Sequence, residues 1–270
     1  MKHLLLLVSL YIMLFEGCSS KTPQLTVTSK HMHSKASTIT DIPNNEVEDE
    51  FEDEYEETSD KALLDPLSGY NRMMTSFNDI VFTYALNPIS KGYNFIAPEF
   101  IRQSISNIIH NIQFPIRFTN NLLQGKFQNS SDEFERFIVN STVGLGGILD
   151  PASTYMHIPA HNEDFGQTLG YYGVGSGFHI VLPFLGPSNI RDGLGLIADG
   201  YLSPIIYQKG LSRYKLPKNY GQSIGVYGFD IINKNSLHLG AYESLKKDAL
   251  DLYPFLRDFY EAKRKTDITE

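Results

Sequence analysis

The spacing of apolar residues in the first third of the folded region constrains the fold more than any other feature of the chain. From residue 70 to residue 84, apolar side chains recur at intervals of three and four, which places them on one face of a helix. The members of this face are Tyr70, Met73, Met74, Phe77, Ile80, Val81 and Tyr84. Pro88 and Gly92 are expected to end this helix.

The same spacing predicts three further helices before residue 140. The second runs from about 98 to 112, and the third begins after Pro115 and stops at Gly125. Ser130 and Glu133 have the spacing of a capping box, which predicts the start of the fourth helix. That helix leads directly into a glycine-rich stretch.

The second half of the chain is less regular but gives no sustained strand pattern. Residues 164–187 mix glycines with aromatic and aliphatic residues, which predicts a short helix followed by irregular or extended chain. A helix is expected from about 190 to Pro204. Residues 225–265 predict two helices separated near 234–235, with Pro254 kinking or restarting the second. The fold class is therefore mainly α.

The glycine-rich stretch, NSTVGLGGILDP at 140–151, places Gly144, Gly146 and Gly147 among apolar residues. Glycine reaches positive φ without steric cost, so the stretch indicates a bend with an apolar surface. After residue 17, no apolar run reaches the roughly 20 residues that a membrane-spanning helix needs. The body can lie in a membrane without crossing it, although periodicity alone favours a water-soluble helical core.

The N-terminus has the pattern of a lipoprotein signal peptide at 1–17, with a basic start and a short apolar run before Cys18. Cys18 is the single cysteine of the chain, so we interpret it as the acylated residue of a lipobox rather than as a coincidental cysteine. Phe15 and Glu16 depart from the usual lipobox. Ser19 lacks the aspartate that retains such lipoproteins at the inner membrane, which favours the outer membrane.

The negative charge is concentrated in one segment. Residues 18–62 carry 11 acidic side chains against four lysines, nine of the acids falling within 46–57, and we predict that this segment is a disordered acidic tether. Of the net charge of −8, only −1 remains for residues 63–270, because residues 1–17 are neutral. A nearly neutral domain gives no reason to expect nucleic acid as a partner. We place the helical domain at 63–265 and a tail at 266–270.

Three local motifs could carry chemistry, and each lacks its required context. Ser223 lies in a G-x-S-x-G pattern, but the charged, proline-broken sequence before it does not suit the strand of a nucleophile elbow. His238 and Asp230 leave little chain on which to place a base and an acid. His157 and His161 are separated by Pro159 and form no HExxH motif, and the glycine clusters lack the partners of a phosphate-binding loop. We therefore expect no catalytic residue, no metal and no cofactor.

Several motifs in order together resemble the MlaA (VacJ) family of outer-membrane lipoproteins, over roughly residues 64–260. They are Asp65-Pro66 followed by GYNRMMTSFND, then NPISKGY, FPIRFTNNLLQGKF, RFIVNSTVGLGGILDPA, EDFGQTLGYYGVGSGFHIVLPFLGPSNIRD and ADGYLSP. The resemblance implies a single ring-like or disc-like helical domain embedded in one leaflet of the membrane, with irregular loops around a central amphipathic channel.

The resemblance also implies a function and its partners. Family members are associated with trimeric porins and pass mislocalised outer-leaflet phospholipid to a periplasmic carrier, MlaC, without catalysis. Carried over to this chain, the glycine stretch from Asn140 to Asp150 becomes a hairpin near the channel, with Gly144, Gly146 and Gly147 as its hinges. The first helix would face the membrane through Met73, Met74, Phe77, Ile80 and Val81. A lipid esterase using Ser223 and a structural envelope lipoprotein are the alternatives.

Overall fold

The computed structural model describes residues 65–269. The predicted signal peptide at 1–17, the tether at 18–62 and the anchor residue Cys18 lie outside the described residues. The helices are α1 Ser68–Val81, α2 Asn87–Ile96, α3 Glu99–Ile112, α4 Phe114–Leu123, α5 Phe127–Thr142, α6 Pro151–Thr154, α7 Phe165–Tyr171, α8 Ile190–Leu202, α9 Tyr220–Leu237, α10 Ala241–Asp248 and α11 Leu252–Thr269. A π-helical segment, Phe82–Leu86, joins α1 to α2, and two strands, β1 His179–Leu182 and β2 Gly186–Asn189, form an antiparallel hairpin.

The first helix does not end at Pro88, so that prediction was wrong. The chain stays helical from Ser68 to Ile96 because the π-helical segment precedes the proline, which occupies the first turn of α2. Pro88 removes one helical hydrogen bond, and it falls directly after a π-helical turn, where the regular α-helical hydrogen-bond pattern is already interrupted. The helix ends instead at Ala97, which has extended backbone, before Pro98.

The fourth helix begins at Phe127, earlier than predicted, and the Ser130–Glu133 capping box does not exist. Ser130 lies inside α5, where its hydroxyl donates to the Phe118 carbonyl oxygen at 2.9 Å. Glu133 is fully buried and accepts from Arg117 Nε at 2.7 Å. The two side chains thus tie α5 to α4 instead of starting a helix.

The C-terminal part contains three helices where two were predicted. α9 passes through residues 234–235, and the break comes at Gly240, whose φ of +90° is left-handed. Pro254 lies in the first turn of α11, as expected for a proline that restarts a helix. α11 continues to Thr269, through residues that the sequence analysis assigned to a tail.

The helices close into a ring by pairwise packing. α2 packs on α9, α9 on α3, α3 on α4, and α4 on α7. α7 then packs on α11, and α11 packs on α1, which continues into α2 and completes the circuit. The prediction of a mainly α, ring-like domain is therefore confirmed.

The β-hairpin is attached to α1 by two asparagine side chains, although no strand was predicted there. Asn71 accepts from Val181 N at 2.9 Å and donates to the His179 carbonyl at 3.0 Å. Two helical turns later, Asn78 accepts from Phe184 N at 2.8 Å and donates to the Leu182 carbonyl at 3.0 Å. The two amides hydrogen-bond to the open edge of β1 as a third strand would. Without them, the backbone groups along that edge would be unpaired.

The polarity of the interior is reversed relative to a water-soluble protein. Within residues 65–269, the apolar side chains that are buried are Ile109, Ala152, Val181, Ile205 and Tyr253, together with two prolines, Pro151 and Pro217. Buried polar side chains are far more numerous and include Asn71, Asn120, Asn121, Gln124 and Glu133.

Large apolar side chains lie mainly on the outside. Tyr84 is 79% exposed, Phe95 91% and Ile96 80%. The water-soluble core that periodicity favoured is therefore wrong, because the apolar faces of the helices point away from the interior. Across the described helices, none combines the length and the hydropathy that crossing a membrane requires.

Candidate functional site

A cavity of about 250 Å³, here called the polar cavity, lies inside the ring between α9 and the opposite elements. Tyr227 of α9 forms one wall. The other walls come from the start of α7, the hairpin, α8 and α11: Asp164, Leu182, Leu185, Pro187, Ser188, Asp192, Leu196, Asp199, Tyr260 and Arg264. Carboxylates, a guanidinium group and phenols thus share the cavity with leucine side chains, so a ligand with both charged and apolar parts fits this lining.

Arg264 organises the charged wall of the polar cavity. Its guanidinium donates to both oxygens of Asp164, at 2.7 and 2.9 Å, and to both oxygens of Asp192, at 2.9 and 3.0 Å. Bidentate pairs of this kind are strong and fix geometry. Although burial favours the neutral form of Arg264, the two carboxylates raise its pKa above the usual value.

Asp192 is the most heavily hydrogen-bonded carboxylate of the cavity. Arg191 Nε donates to it at 2.9 Å and the Tyr260 hydroxyl at 2.7 Å, in addition to Arg264. Burial opposes its ionisation, but the hydrogen bonds from Arg264, Arg191 and Tyr260 outweigh burial and hold the pKa of Asp192 below its usual value. Asp192 is therefore a fixed negative charge at neutral pH.

Two glycines allow these helices to approach closely enough to form the charged wall. A Cβ atom on Gly166, in α7, would overlap Asp192 Oδ1 and come within 2.8 Å of Arg264 Nη2. A Cβ atom on Gly195, in α8, would lie 2.5 Å from Gly166 N. Since real Cβ atoms do not approach so closely, α7 and α8 can cross here only with glycine at 195, whereas a Cβ atom at 166 would displace the Asp192 and Arg264 side chains of the charged wall.

Asp199 differs from the other two carboxylates because it makes no ion pair with a side chain of residues 65–269. It accepts from Asn120 Nδ2 and from Phe165 N, each at 3.0 Å. Burial raises the pKa of Asp199 to about 6, and the Asp164 carboxylate adds to the shift, whereas the two hydrogen bonds oppose it. The polar cavity thus holds one carboxylate that titrates near neutral pH.

The glycine stretch lies against α3 and does not line the polar cavity. Gly147 packs on Asn111 of α3, and Ile148 to Pro151 line a different cavity of about 430 Å³ with Phe100 and Asn107. The stretch forms successive turns after α5, in which Gly146 N donates to Ser141 O and Gly147 N to Asn140 O.

The base of the glycine stretch is braced by side chains. Asn140 Nδ2 donates to Asp150 Oδ1 at 2.8 Å, and Arg136 Nη2 donates to Asp150 Oδ2 at 3.0 Å. Asp150 also caps α6 by accepting from Ser153 N. The structure brings Asn140 and Asp150 together as the fixed ends of the stretch, and Gly144, Gly146 and Gly147 lie between them.

The predicted membrane-facing residues of α1 lie on its outer side to different degrees. Met73 is 58% exposed and Ile80 56%, and Phe77 is exposed beside Phe184 of the hairpin, with ring centroids 5.1 Å apart. Met74 and Val81 are half-buried. The opposite side of the helix carries the buried Asn71 and Thr75.

Ser223 does not occupy a nucleophile elbow. It lies in the first turns of α9, is buried, and donates to the Ile205 carbonyl at 3.2 Å while accepting from Tyr207 N at 3.1 Å. His238 follows α9, 15 positions from Ser223, about 22 Å along a helix. The hydroxyl holds the 205–207 loop, and His238 cannot act on it as a base. His161 pairs with Asp132 instead of with His157.

Comparison with known proteins identifies the family. The MlaA lipoprotein family model matches residues 63–267. The chain belongs to the MlaA lipoprotein family. A Haemophilus influenzae relative, named intermembrane phospholipid transport system lipoprotein MlaA, is 33% identical over 199 residues, covering 73% of this chain and 76% of the relative. The Escherichia coli K12 protein of the same name is 35% identical over 147 residues, covering 53% and 59%.

A solved structure agrees with the MlaA family assignment. It is titled "Structural basis for maintenance of bacterial outer membrane lipid asymmetry" and matches with a TM-score of 0.64 at 29% identity, covering 76% of this chain and 98% of that chain. A Rickettsia felis protein without an assigned function is 27% identical over 207 residues. MlaA relatives are thus named for phospholipid transport and not for an enzymatic activity.

The charged wall of the polar cavity was not predicted from the sequence. Asp164 and Arg264 are 100 residues apart, and Asp192 and Arg264 are 72 apart, so no local pattern joins them.

The buried polar face of α1 did leave a signal in the sequence, because Asn71, Thr75 and Asn78 recur at helical spacing opposite the apolar face. A helix face made of small amide and hydroxyl side chains can be the buried face, just as a face made of apolar side chains can.

Proposed function

We propose that this protein is an outer-membrane lipoprotein that removes mislocalised phospholipid from the outer leaflet and passes it, without catalysis, through the polar cavity to a periplasmic lipid carrier. Its ring of helices is embedded in one leaflet, and an acylated Cys18 anchors it. Since we identify no nucleotide-binding motif in the sequence, the energy for directed movement comes from partners or from a lipid gradient.

The reversed polarity of the described region carries the proposal. Contiguous exposed apolar surface is rare on soluble monomers and marks contact with another apolar phase. Polar groups facing lipid would lose their hydrogen bonds, so a lipid-embedded body keeps them inside. Exposed Tyr84 and Phe95 with buried Asn71 and Asn120 fit that requirement.

The polar cavity supports a path for an amphipathic molecule. A phospholipid needs polar partners for its headgroup and apolar partners for its chains. Asp192, Asp199 and Arg264 supply the former, while Leu185 and Leu196 supply the latter.

The family role suggests two protein partners and one moving part. The partners are a trimeric porin that holds the ring in place and an MlaC-like carrier that receives the lipid. The moving part is the glycine stretch, with Gly146 as the hinge that has most room, because a Cβ atom there would meet nothing within 4 Å. Asn140 and Asp150 would remain fixed while it moves.

Mass spectrometry of the full-length protein purified from membranes tests the proposal. We expect an acylated Cys18 at the mature N-terminus and bound phospholipid. Deletion of the gene should raise the amount of phospholipid at the cell surface, and the wild-type gene should restore it. A purely structural lipoprotein would carry no phospholipid, and a deletion that leaves surface phospholipid unchanged would contradict the proposed role.

A further inference from the structure

A second cavity, here called the apolar cavity, lies beside the junction of α1 and α2. It measures about 200 Å³ and is lined mainly by apolar side chains from the end of α1, the π-helical segment, the end of the β-hairpin at residues 183–187 (the hairpin tip) and α11: Val81, Phe82, Leu86, Phe184, Leu185 and Leu256. The phenol of Tyr242, which also lines it, is satisfied by donating to Asp79 at 3.1 Å. The wall thus offers few free polar groups to a ligand.

The π-helical segment shapes one side of the apolar cavity. The Asn87 N–H donates to the Phe82 carbonyl oxygen, five residues earlier, so the helix is locally widened. Such widened turns are uncommon and occur frequently at functional sites. Here the widened turn directs Phe82 and Leu86 to the same cavity, with the Phe82 ring centroid 4.1 Å from that of Tyr242.

The hairpin tip forms the other side and is held in an unfavourable backbone conformation. Phe184 has a φ of +64°, in the left-handed region that a bulky residue rarely adopts. Asn78 stabilises this conformation by accepting from Phe184 N, and the Phe184 ring packs edge-on against Phe77. A strained residue that neighbouring groups hold in place is common at ligand sites.

The hairpin tip also separates the two cavities. Leu185 and Pro187 line both the apolar cavity and the polar cavity. An apolar compartment therefore lies directly beside a charged compartment, with a thin wall of two residues between them. A phospholipid has the same arrangement, since its acyl chains adjoin a charged headgroup.

We propose that the apolar cavity is an acyl-chain subsite for the phospholipid whose headgroup occupies the polar cavity, and that the hairpin tip is the partition between chain and headgroup. The inference rests on the proposed transport of phospholipid. The occupant is an acyl chain of the transported lipid, because Leu185 and Pro187 also line a neighbouring cavity that is lined by charged side chains.

Tryptophan fluorescence tests this subsite directly, because the chain contains no tryptophan. Phe82→Trp places a single indole in the apolar cavity, and Phe95→Trp places one on the outside of α2, where the side chain is 91% exposed. The full-length variants are purified in detergent and titrated with phosphatidylethanolamine that carries bromine atoms on its acyl chains. Bromine quenches an indole that it touches.

We expect quenching at residue 82 to saturate at a low mole fraction of brominated lipid and to reverse with unbrominated lipid of the same headgroup. At that mole fraction it should be several-fold larger than at residue 95, where quenching should grow in proportion to the mole fraction. Leu86→Trp is a second reporter in the same cavity and should behave like Phe82→Trp. Each variant must keep its helical circular dichroism.

The contrary results separate the subsite from the proposed function. If the protein carries phospholipid but residues 82 and 95 are quenched alike, without saturation, the apolar cavity has another occupant, such as a segment of a protein partner, and the inference is wrong while transport stands. If the protein binds no phospholipid by mass spectrometry, both the inference and the proposed function are wrong.

Discussion

The outer side of α1 and the wall of the polar cavity are opposite in character and lie in the same small ring. On α1, Met73 and Ile80 are apolar and exposed, whereas in the cavity Asp192 and Arg264 are charged and buried. In a water-soluble protein each would be on the wrong side. The difference indicates that the ring is built for an apolar exterior, and that the specific interactions of the fold lie in its polar interior.

Replacement of Arg264 should cause the largest loss of stability. Arg264→Met leaves Asp164 and Asp192 without their shared cation, and breaking one partner of a buried pair costs about 3 to 5 kcal/mol. Thermal unfolding in detergent, followed by circular dichroism, measures the loss. The neighbouring Lys263→Met is the control, because Lys263 makes an exposed pair with Asp267 that contributes about 0.5 kcal/mol or less. Equal losses in the two variants would show that the charged wall does not hold the ring together.

Alanine substitutions at two glycines of the glycine stretch form a matched pair, and both should lose less stability than Arg264→Met. A Cβ atom on Gly144 would lie 2.5 Å from Asn140 O and 2.6 Å from Leu149 O, so Gly144→Ala should cost about 2 to 3 kcal/mol. Gly146→Ala has open space and should cost about 1 kcal/mol, because its φ is +76°. Urea unfolding of the two variants measures both. A larger loss at Gly146 than at Gly144 would mean that close packing does not fix this stretch.

Two substitutions, one on α1 and one on the π-helical segment that continues it, compare the buried and exposed sides of the helix directly. Asn71→Ala leaves Val181 N and the His179 carbonyl without partners and should cost about 2 kcal/mol. Tyr84→Ala removes a much larger side chain from the exposed side and should change stability by about 0.5 kcal/mol or less. Thermal unfolding in the same detergent gives both values. A larger loss of stability in Tyr84→Ala than in Asn71→Ala is the result that a water-soluble core would produce.

The carboxylate of Asp199 makes stability depend on pH. Because its folded-state pKa of about 6 lies above the ordinary value of 3.8, Asp199 stabilises the fold most when protonated, and this contribution is lost as pH rises through 6. The stability of Asp199→Asn relative to wild type should therefore improve by about 2 kcal/mol between about pH 4 and about pH 7.5. Subtracting wild type cancels the other titrating groups, and comparing the two pH values cancels the fixed cost of the amide. A difference that does not change with pH would place the Asp199 pKa at its ordinary value.

Ser223 should matter least, and only for stability. Ser223→Ala removes the hydroxyl bonds to the 205–207 loop and should cost about 1 kcal/mol. Because the hydroxyl is not placed for catalysis, the variant should leave the amount of surface phospholipid as in wild type. Full loss of transport in a folded Ser223→Ala variant would support the esterase alternative.

The sequence predicts the helices well and the direction of their faces poorly. Spacing located α1, α3, α4 and α8 because a helix repeats every 3.6 residues whichever phase its apolar side contacts. The same spacing cannot tell lipid from protein interior, so Asn71 and Thr75 were not recognised as the buried side. Pro88 gave the wrong end for the first helix, because the π-helical segment before it has no clear sequence signal.

The site depends on contacts that only folding creates. Asp164 caps α7 and Asp192 lies at the start of α8, while Arg264 comes from the last helix. The glycines at 166 and 195 look like loop or bend residues in the sequence, yet both lie inside helices where backbones cross. Family resemblance supplied the ring and the phospholipid, and the charged wall required the structure.

The most direct test of the account compares the environment of a spin label on the apolar exterior with that of a spin label at a charged surface. Cys18 is the single natural cysteine, and in the mature protein acylation would block its thiol, so a cysteine introduced at Tyr84 or Lys247 can be labelled alone in the full-length protein in vesicles. Tyr84 is 79% exposed on the apolar exterior, and Lys247 is exposed on α10. The account predicts that the label at 84 is relaxed mainly by oxygen, which concentrates in lipid, and the label at 247 mainly by a water-soluble nickel complex. Relaxation of the label at 84 by the nickel complex, as at 247, would place the apolar exterior in water and contradict the account.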